Sequence, residues 1–452
     1  MAPYRTTLII IVLAAASLEA VSARLVGNRF LHAADGDNHS VEASPSQIDN
    51  EEEPPLDEPP LHVGLPSSEL RGSLIAAQFT ADPYAHRDRM EMIQTGELGL
   101  VGIRYSPTSF AADYENDIMY SNVYGEFCVF NSQLNKVDPS YYPTVKDVLS
   151  QSSHCSEHRY TIQLGKVMDA LKNSKDAKTL PVSGMLFHQG YSGAGLISNA
   201  LTAFESTLVV SEHSAIRDAL SACDVIRNRY KSDDCSFAKQ QKLVLDIISL
   251  LSRTTDKNIQ HLFLKLHSSS AAYLPTLHAL YPSAKWTFSY RNAEETLSKS
   301  MQRKRNVTCT KAKRNPSMAL SEKSAENNLD LEHLSHHEVC ALHLSTLLEA
   351  AMREHDISGT GLLVSYDDII SSSGNIIVEE VLLYLGLQEE LNSNPQVKDK
   401  IVEILSTRSN ARGVGREKQW DATQEKTIEI SDEVRNAVKV FMGDLMGESY
   451  QI

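Results

Sequence analysis

Residues 187–195 read Phe187-His188-Gln189-Gly190-Tyr191-Ser192-Gly193-Ala194-Gly195, "FHQGYSGAG". An apolar run, "GMLF", leads into this stretch, and a helix-forming run, "LISNALTAF", leads out of it. Strand, glycine-rich turn, helix is an arrangement that presents backbone N–H groups to an anion. A nucleotide-hydrolysing loop of the form G-x-x-x-x-G-K-[ST] would add a lysine and a hydroxyl for phosphate and magnesium. This loop has three glycines but no lysine or arginine, so an ordinary ATPase or kinase is disfavoured. The glycines are also what a tight strand-to-helix turn needs for itself.

Outward from the loop, the chain alternates between short apolar strands and helices. "SGMLFH", "TLVVSE", "HLFLKLH", "KWTFSYR" and "LLVSYDD" read as strands. Between them, "GLISNALTAFES", "SAIRDALSACDVI", "AKQQKLVLDIISLLSRT", "AAYLPTLHALYP", "AEETLSKSMQRK" and "HHEVCALHLSTLLEAAMREHD" read as helices. Apolar strands separated by helices predict an α/β protein with a three-layer, P-loop-like parallel sheet flanked by helices. Its ligands belong at the carboxyl ends of the strands. The leucines and Val339 between 331 and 348 read as core packing.

The chain has 452 residues, 42% of them hydrophobic, and a net charge of −15. The length implies ~2–3 domains, or one large domain with additions. The acidic balance argues against a general nucleic-acid binder. Residues 1–23 read as a signal peptide: Arg5, an apolar stretch Leu8–Ala16, then the small residues Val21-Ser22-Ala23. An uncleaved anchor is the alternative. Either way the protein is expected in the secretory pathway, in the Golgi lumen or secreted, with no stable membrane span if the signal is cleaved. Residues 24–69 are acidic and proline-rich and are expected to be disordered. Residues 70–180 are expected to form an N-terminal extension packed on the main domain, residues 181–452. "NVYGEFCVFN" within the extension reads as a strand.

Six cysteines suit an oxidising compartment. Cys223 with Cys235 is the first pairing expected, and Cys128 with Cys155 could staple the extension. No Cys/His spacing suggests zinc, and no metal is expected. Asn38 and Asn306 begin glycosylation sequons. Residues 302–314, "QRKRNVTCTKAKR", hold six basic residues, which could rim a site for an anionic nucleotide or acidic glycan, or form a solvated insert.

Two ligand readings compete at the loop. In the first, Gly193-x-Gly195-x-x-Ser198 approximates a dinucleotide fingerprint, with Glu212 at the end of the next strand as the ribose-binding carboxylate. The second rests on later blocks. These are Lys265-Leu266-His267 after a strand, "YRNAEETLSKS" with Arg291 at a strand end and Ser298 and Ser300 on the next helix, "YDDII…VEEVLLYLGL", and "RGVGREKQW" with Arg412, Gly413, Gly415 and Arg416.

In this order the blocks, over about residues 181–445, resemble the sulfotransferase superfamily. The chain is most similar to a divergent branch seen in algae and oomycete-type microbes, which has "FPxxPWxFxYR" where this chain has "YPSAKWTFSYR". The resemblance implies PAPS as sulfuryl donor, no metal, and a glycan or small-molecule acceptor. It implies a 5′-phosphosulfate loop at Gly190, Tyr191, Ser192, Gly193, Ala194 and Gly195. It implies 3′-phosphate contacts from Arg291, Ser298, Arg412 and Gly413, and catalytic roles for Lys265 and His267. Here His267 would serve as base and Lys265 would approach the bridging oxygen, with His188 the reserve base. The chain departs from the pattern at Tyr191, where the family has a cation, and at Ala194 and Gly195, where it has hydroxyls. The usual helix serine falls at Lys299. A catalytically degenerate binding protein of the same fold is therefore a further alternative.

Overall fold

The computed structural model describes residues 82–106, 122–172, 174, 177–230, 235–302, 308–407 and 428–449. The chain divides into two units, Met1–Phe79 and Thr80–Ile452, and all described residues belong to the second. The signal peptide, the acidic segment, the sequon asparagines Asn38 and Asn306, and Arg412, Gly413, Gly415 and Arg416 lie outside the described residues.

Three strands, β1 (Leu98–Tyr105), β2 (Val123–Val129) and β3 (Tyr160–Gln163), form an antiparallel sheet in that order. The strand expected around "NVYGEFCVFN" is β2. Cys128 on β2 is bonded to Cys155. A two-residue ribbon, β4 (Lys178–Thr179) with β7 (Arg253–Thr254), follows.

The main sheet is parallel throughout. Its strands are β5 (Val182–His188), β6 (Thr207–Ser211), β8 (His261–Lys265), β9 (Lys285–Tyr290) and β10 (Leu362–Ser365), in the order β10-β9-β5-β8-β6. Side chains alternate across it, as a period of two requires. Met185, Phe187, Val210, Leu262, Leu264 and Phe288 join one core, while Leu186, Val209, Phe263 and Val364 join another. The second core takes in α1 (Ala194–Leu201). The first takes in α2 (Ser214–Leu220), α3 (Phe237–Leu251) and the long α5 (His336–Ser358). The protein is thus an α/β fold with helices on both faces of a parallel sheet. The strand that feeds the glycine loop, β5, lies at the centre of that sheet.

In a dinucleotide-binding sheet the first strand lies between the second and the fourth. Here β5, the first strand of the sheet, lies between the third and the fourth, β8 and β9. The chain leaves β5 for the far edge at β6 and then returns beside β5. The switch in direction leaves a crevice at the carboxyl end of β5, between β8 and β9.

Three predicted elements differ in detail. "SAIRDALSACDVI" is two helices, α2 and a second running Ala222–Tyr230, broken at Ser221, whose own N–H bonds back to Arg217. "AAYLPTLHALYP" begins as a 3-10 turn, Ser268–Tyr273, because Pro275 can enter a helix only in its first turn. The Tyr-Asp-Asp group expected at a strand end instead opens α6 (Tyr366–Ser371), capped by the Ser365 hydroxyl.

The remaining cystines are Cys223–Cys235, as expected, and Cys309–Cys340, which fastens the Thr308–Arg314 helix to α5. Three disulfides fit an oxidising, secreted or lumenal setting. Among the described residues no helix is long and apolar enough to cross a membrane.

Candidate active site

The loop after β5 turns on three left-handed residues: Gly190 (φ 100°), Tyr191 (φ 55°) and Gly193 (φ 83°). Glycine is needed at 193 on two counts. Its φ disfavours a side chain, and a Cβ there would stand 2.7 Å from Ile369 Cδ1 and 3.2 Å from the Tyr366 ring. Gly193 caps α1, so the N–H groups of Ala194, Gly195 and their neighbours begin a helix and lack i−4 acceptors within it. Unpaired N–H groups at a helix start can receive an anion. Tyr191 is at the solvent boundary, with 36% of its surface exposed.

The loop is tied to β9. The Gln189 N–H donates to the Ser289 carbonyl at 3.3 Å, and the Ser192 hydroxyl donates to the same carbonyl at 2.8 Å. The Gln189 side-chain carbonyl accepts the N–H of Arg291 at 3.0 Å. Ser192, the loop hydroxyl expected to face a ligand, is therefore engaged with the sheet.

On one side of the loop, β8 ends in Lys265. Its side chain is buried, and its ammonium is paired with the Glu212 carboxylate just past the end of β6. Glu212 itself sits at φ 53°, an uncommon conformation for a residue with a side chain. Burial alone would raise the Glu212 carboxyl. The charges of Lys265 and His188 and a hydrogen bond from Lys265 overcome that and hold it at about 2. His188 closes the cluster. Its Nε2–H donates to the Leu266 carbonyl at 3.0 Å and lies 3.9 Å from Glu212. Burial, with Lys265 beside it, pushes His188 down to about 3, so it is neutral in ordinary buffers.

His267 follows two residues after Lys265 and caps the 3-10 turn. Its Nδ1 accepts the Ser269 N–H at 3.4 Å and lies 2.9 Å from the Ser269 hydroxyl. Burial lowers its pKa against the opposing pull of Glu212, so the imidazole is neutral near pH 7. With Nδ1 accepting the Ser269 N–H, the neutral ring carries its proton on Nε2, so base action at Nε2 requires the other tautomer and release of that cap bond.

On the other side of the loop, Arg291 stands at the end of β9, 7% exposed. Its guanidinium lies 4.2 Å from the Tyr366 ring and is paired with Glu295, one turn into α4 (Ala293–Met301), at 2.6 Å. Ser298, two turns into α4, donates its hydroxyl to the Glu429 carbonyl at 2.9 Å. The crevice thus gathers the loop, Lys265, His267 and Arg291 at the same end of the sheet.

Sequence reasoning weighed Glu212 only as a ribose ligand and passed over Gln189. The sheet order and the engagement of Glu212 by Lys265 both count against the dinucleotide reading. The "HQG" tripeptide carried the signal for Gln189, since a polar side chain inside such a turn can brace a neighbouring strand.

No protein-family model matches the chain, and no curated protein matches its sequence. Among solved structures the chain is similar to a sulfotransferase from Mycobacterium avium, with TM-score 0.39 and 9% identity, covering 63% of this chain and 81% of that one. It is similar to the sulfotransferase domain from the curacin biosynthetic pathway, with TM-score 0.31 and 11% identity, covering 58% and 98%. A sulfotransferase from Alicyclobacillus acidocaldarius has TM-score 0.29 and 10% identity, covering 58% and 92%. No residue's role follows from likeness at this level.

Proposed function

We propose that the protein transfers a sulfuryl group from PAPS to a hydroxyl or amine of a glycan or small-molecule acceptor in the secretory pathway. We also propose that it belongs with the divergent algal and oomycete-type sulfotransferases that its "YPSAKWTFSYR" block resembles. One observation carries the reading. A backbone-amide loop at the end of the central strand is flanked by a buried lysine on one neighbouring strand and a buried arginine on the other. That spacing suits a nucleotide with two separate anionic ends better than a single polyphosphate chain.

In this reading the amides of Gly193, Ala194 and Gly195 hold the 5′-phosphosulfate, and Arg291, with Arg412 and Gly413, holds the 3′-phosphate. The acceptor oxygen attacks sulfur, and the bond between sulfur and the bridging phosphate oxygen breaks. PAP leaves with that electron pair, and the acceptor proton passes to His267 Nε2, for which the ring must release the Ser269 N–H and carry its own proton on Nδ1. Lys265 offsets the charge that develops on the leaving oxygen, supplying the cation that Tyr191 does not. Both Lys265 and Arg291 must then exchange their carboxylate partners, Glu212 and Glu295, for the ligand.

Those two ion pairs favour a second reading, in which the fold is kept for binding and does no chemistry. Thermal shift with PAP, ATP and NAD separates the possibilities. PAP alone should stabilise the protein, and stabilisation by NAD alone would overturn the assignment. Arg291→Ala should weaken PAP about tenfold or more. Transfer of radiolabelled sulfate from PAPS to a panel of glycans and phenols then tests catalysis. PAP binding without transfer supports the non-catalytic reading.

A further inference from the structure

The crevice carries negative charge of its own. Lys265 is paired with Glu212 and Arg291 with Glu295. A donor phosphate therefore enters against two carboxylates, and the fate of each decides how binding responds to pH. Glu295 lies on α4 with 34% of its side chain exposed, so it can turn to water and stay ionised.

Glu212 has less freedom. Its N–H donates to the Lys265 carbonyl at 2.7 Å, and the next residue, His213, donates from Nε2–H to the Leu100 carbonyl at 2.9 Å. The backbone on both sides of the carboxylate is thus fastened to neighbouring strands. The groups facing it are Lys265 on β8, His188 on β5 and His267 after β8. Arg217 on α2 and Lys311 on the Thr308–Arg314 helix are further cations facing His267. Both imidazoles are lowered by burial, so near pH 7 Lys265 is the charge that keeps Glu212 ionised. Once Lys265 turns to a donor, the carboxylate keeps its burial, loses its counter-charge and gains an anion beside it. All three favour the protonated acid.

We propose, resting on the donor reading above, that Glu212 yields Lys265 to the 5′ end of the donor and takes up a proton in exchange. The pair is an autoinhibitory contact that protons help to open. Donor binding therefore strengthens as pH falls, and the site fills more readily in a mildly acidic compartment than in a neutral one.

The test titrates PAP into the intact protein by calorimetry near pH 7. Two buffers of unlike ionisation enthalpy, PIPES and imidazole, make the difference in heat a count of protons. The wild type should take up on the order of one proton more than Glu212→Gln. Comparing the two proteins cancels the protons that the phosphates of PAP release. Relative to the variant, wild-type affinity should rise by up to about tenfold for each unit of pH lost. A second measurement needs no variant. Infrared difference spectra of the wild type should gain the C=O band of a protonated carboxyl group when PAP is added. Absence of PAP binding overturns the donor reading and this inference with it. PAP binding with equal proton uptake in wild type and Glu212→Gln, or without the new carboxyl band, leaves the donor reading standing and overturns the inference alone.

Discussion

Glu212 illustrates how much one residue's surroundings decide. Its carboxyl is held below its unfolded value of 4.5, at about 2, so it contributes stability that is present above pH 4.5 and lost as pH falls toward 2. His188 is also depressed, from 6.5 to about 3, and must be neutral to stay buried. Its contribution is intact above pH 6.5 and declines on acidification below that. Acid denaturation should therefore begin below pH 6.5 and steepen below pH 4.5. Glu212→Gln should flatten the second phase, as read by melting temperature against pH. A curve for Glu212→Gln that parallels wild type through that window would contradict the pairing with Lys265. Gly193→Ala carries a separate expectation. Its Cβ would collide with Ile369 and its φ of 83° would be strained, so the variant should lose PAP binding and several degrees of melting temperature. The Lys265–Glu212 pair was not legible from sequence, and "HQG" marked Gln189 as a possible brace without saying which strand it would hold. Both depend on which strands are neighbours, and periodicity is silent about that.

At the scale of elements, α5 is the clearest case of sequence prescribing structure. Ser335 and Glu338 form a reciprocal capping box at its start, and Gly359 ends it at φ 63°. Ser335→Ala should cost about 1 kcal/mol, measured by denaturant unfolding. The strands and helices of the main sheet were similarly legible, because each buries its apolar face on a period the sequence displays. The divisions inside elements were less so. The break at Ser221 falls within an unbroken amphipathic pattern, and the Tyr366 helix follows β10 without an intervening loop residue. In both places local caps and backbone bonds, each involving one serine, override the wider pattern.

Across the whole molecule, each of the three cystines closes a short stretch of chain, with separations of 27, 12 and 31 residues. None joins two strands of the main sheet. On the chain-entropy account each contributes about 3 kcal/mol. Reduction should lower the melting temperature substantially while far-ultraviolet circular dichroism below the new transition stays near native. Loss of helix signal at room temperature on reduction would mean that the parallel sheet depends on the cystines.

The ties between the glycine loop and β9 have one more implication. Gln189 and Ser192 fasten the loop to the strand that ends in Arg291, so the two anchoring points cannot drift apart independently. Under the proposed function the crevice is a fixed gauge, set to one separation between negative charges. Discrimination among nucleotides would then come from the distance between their charged ends more than from recognition of the base.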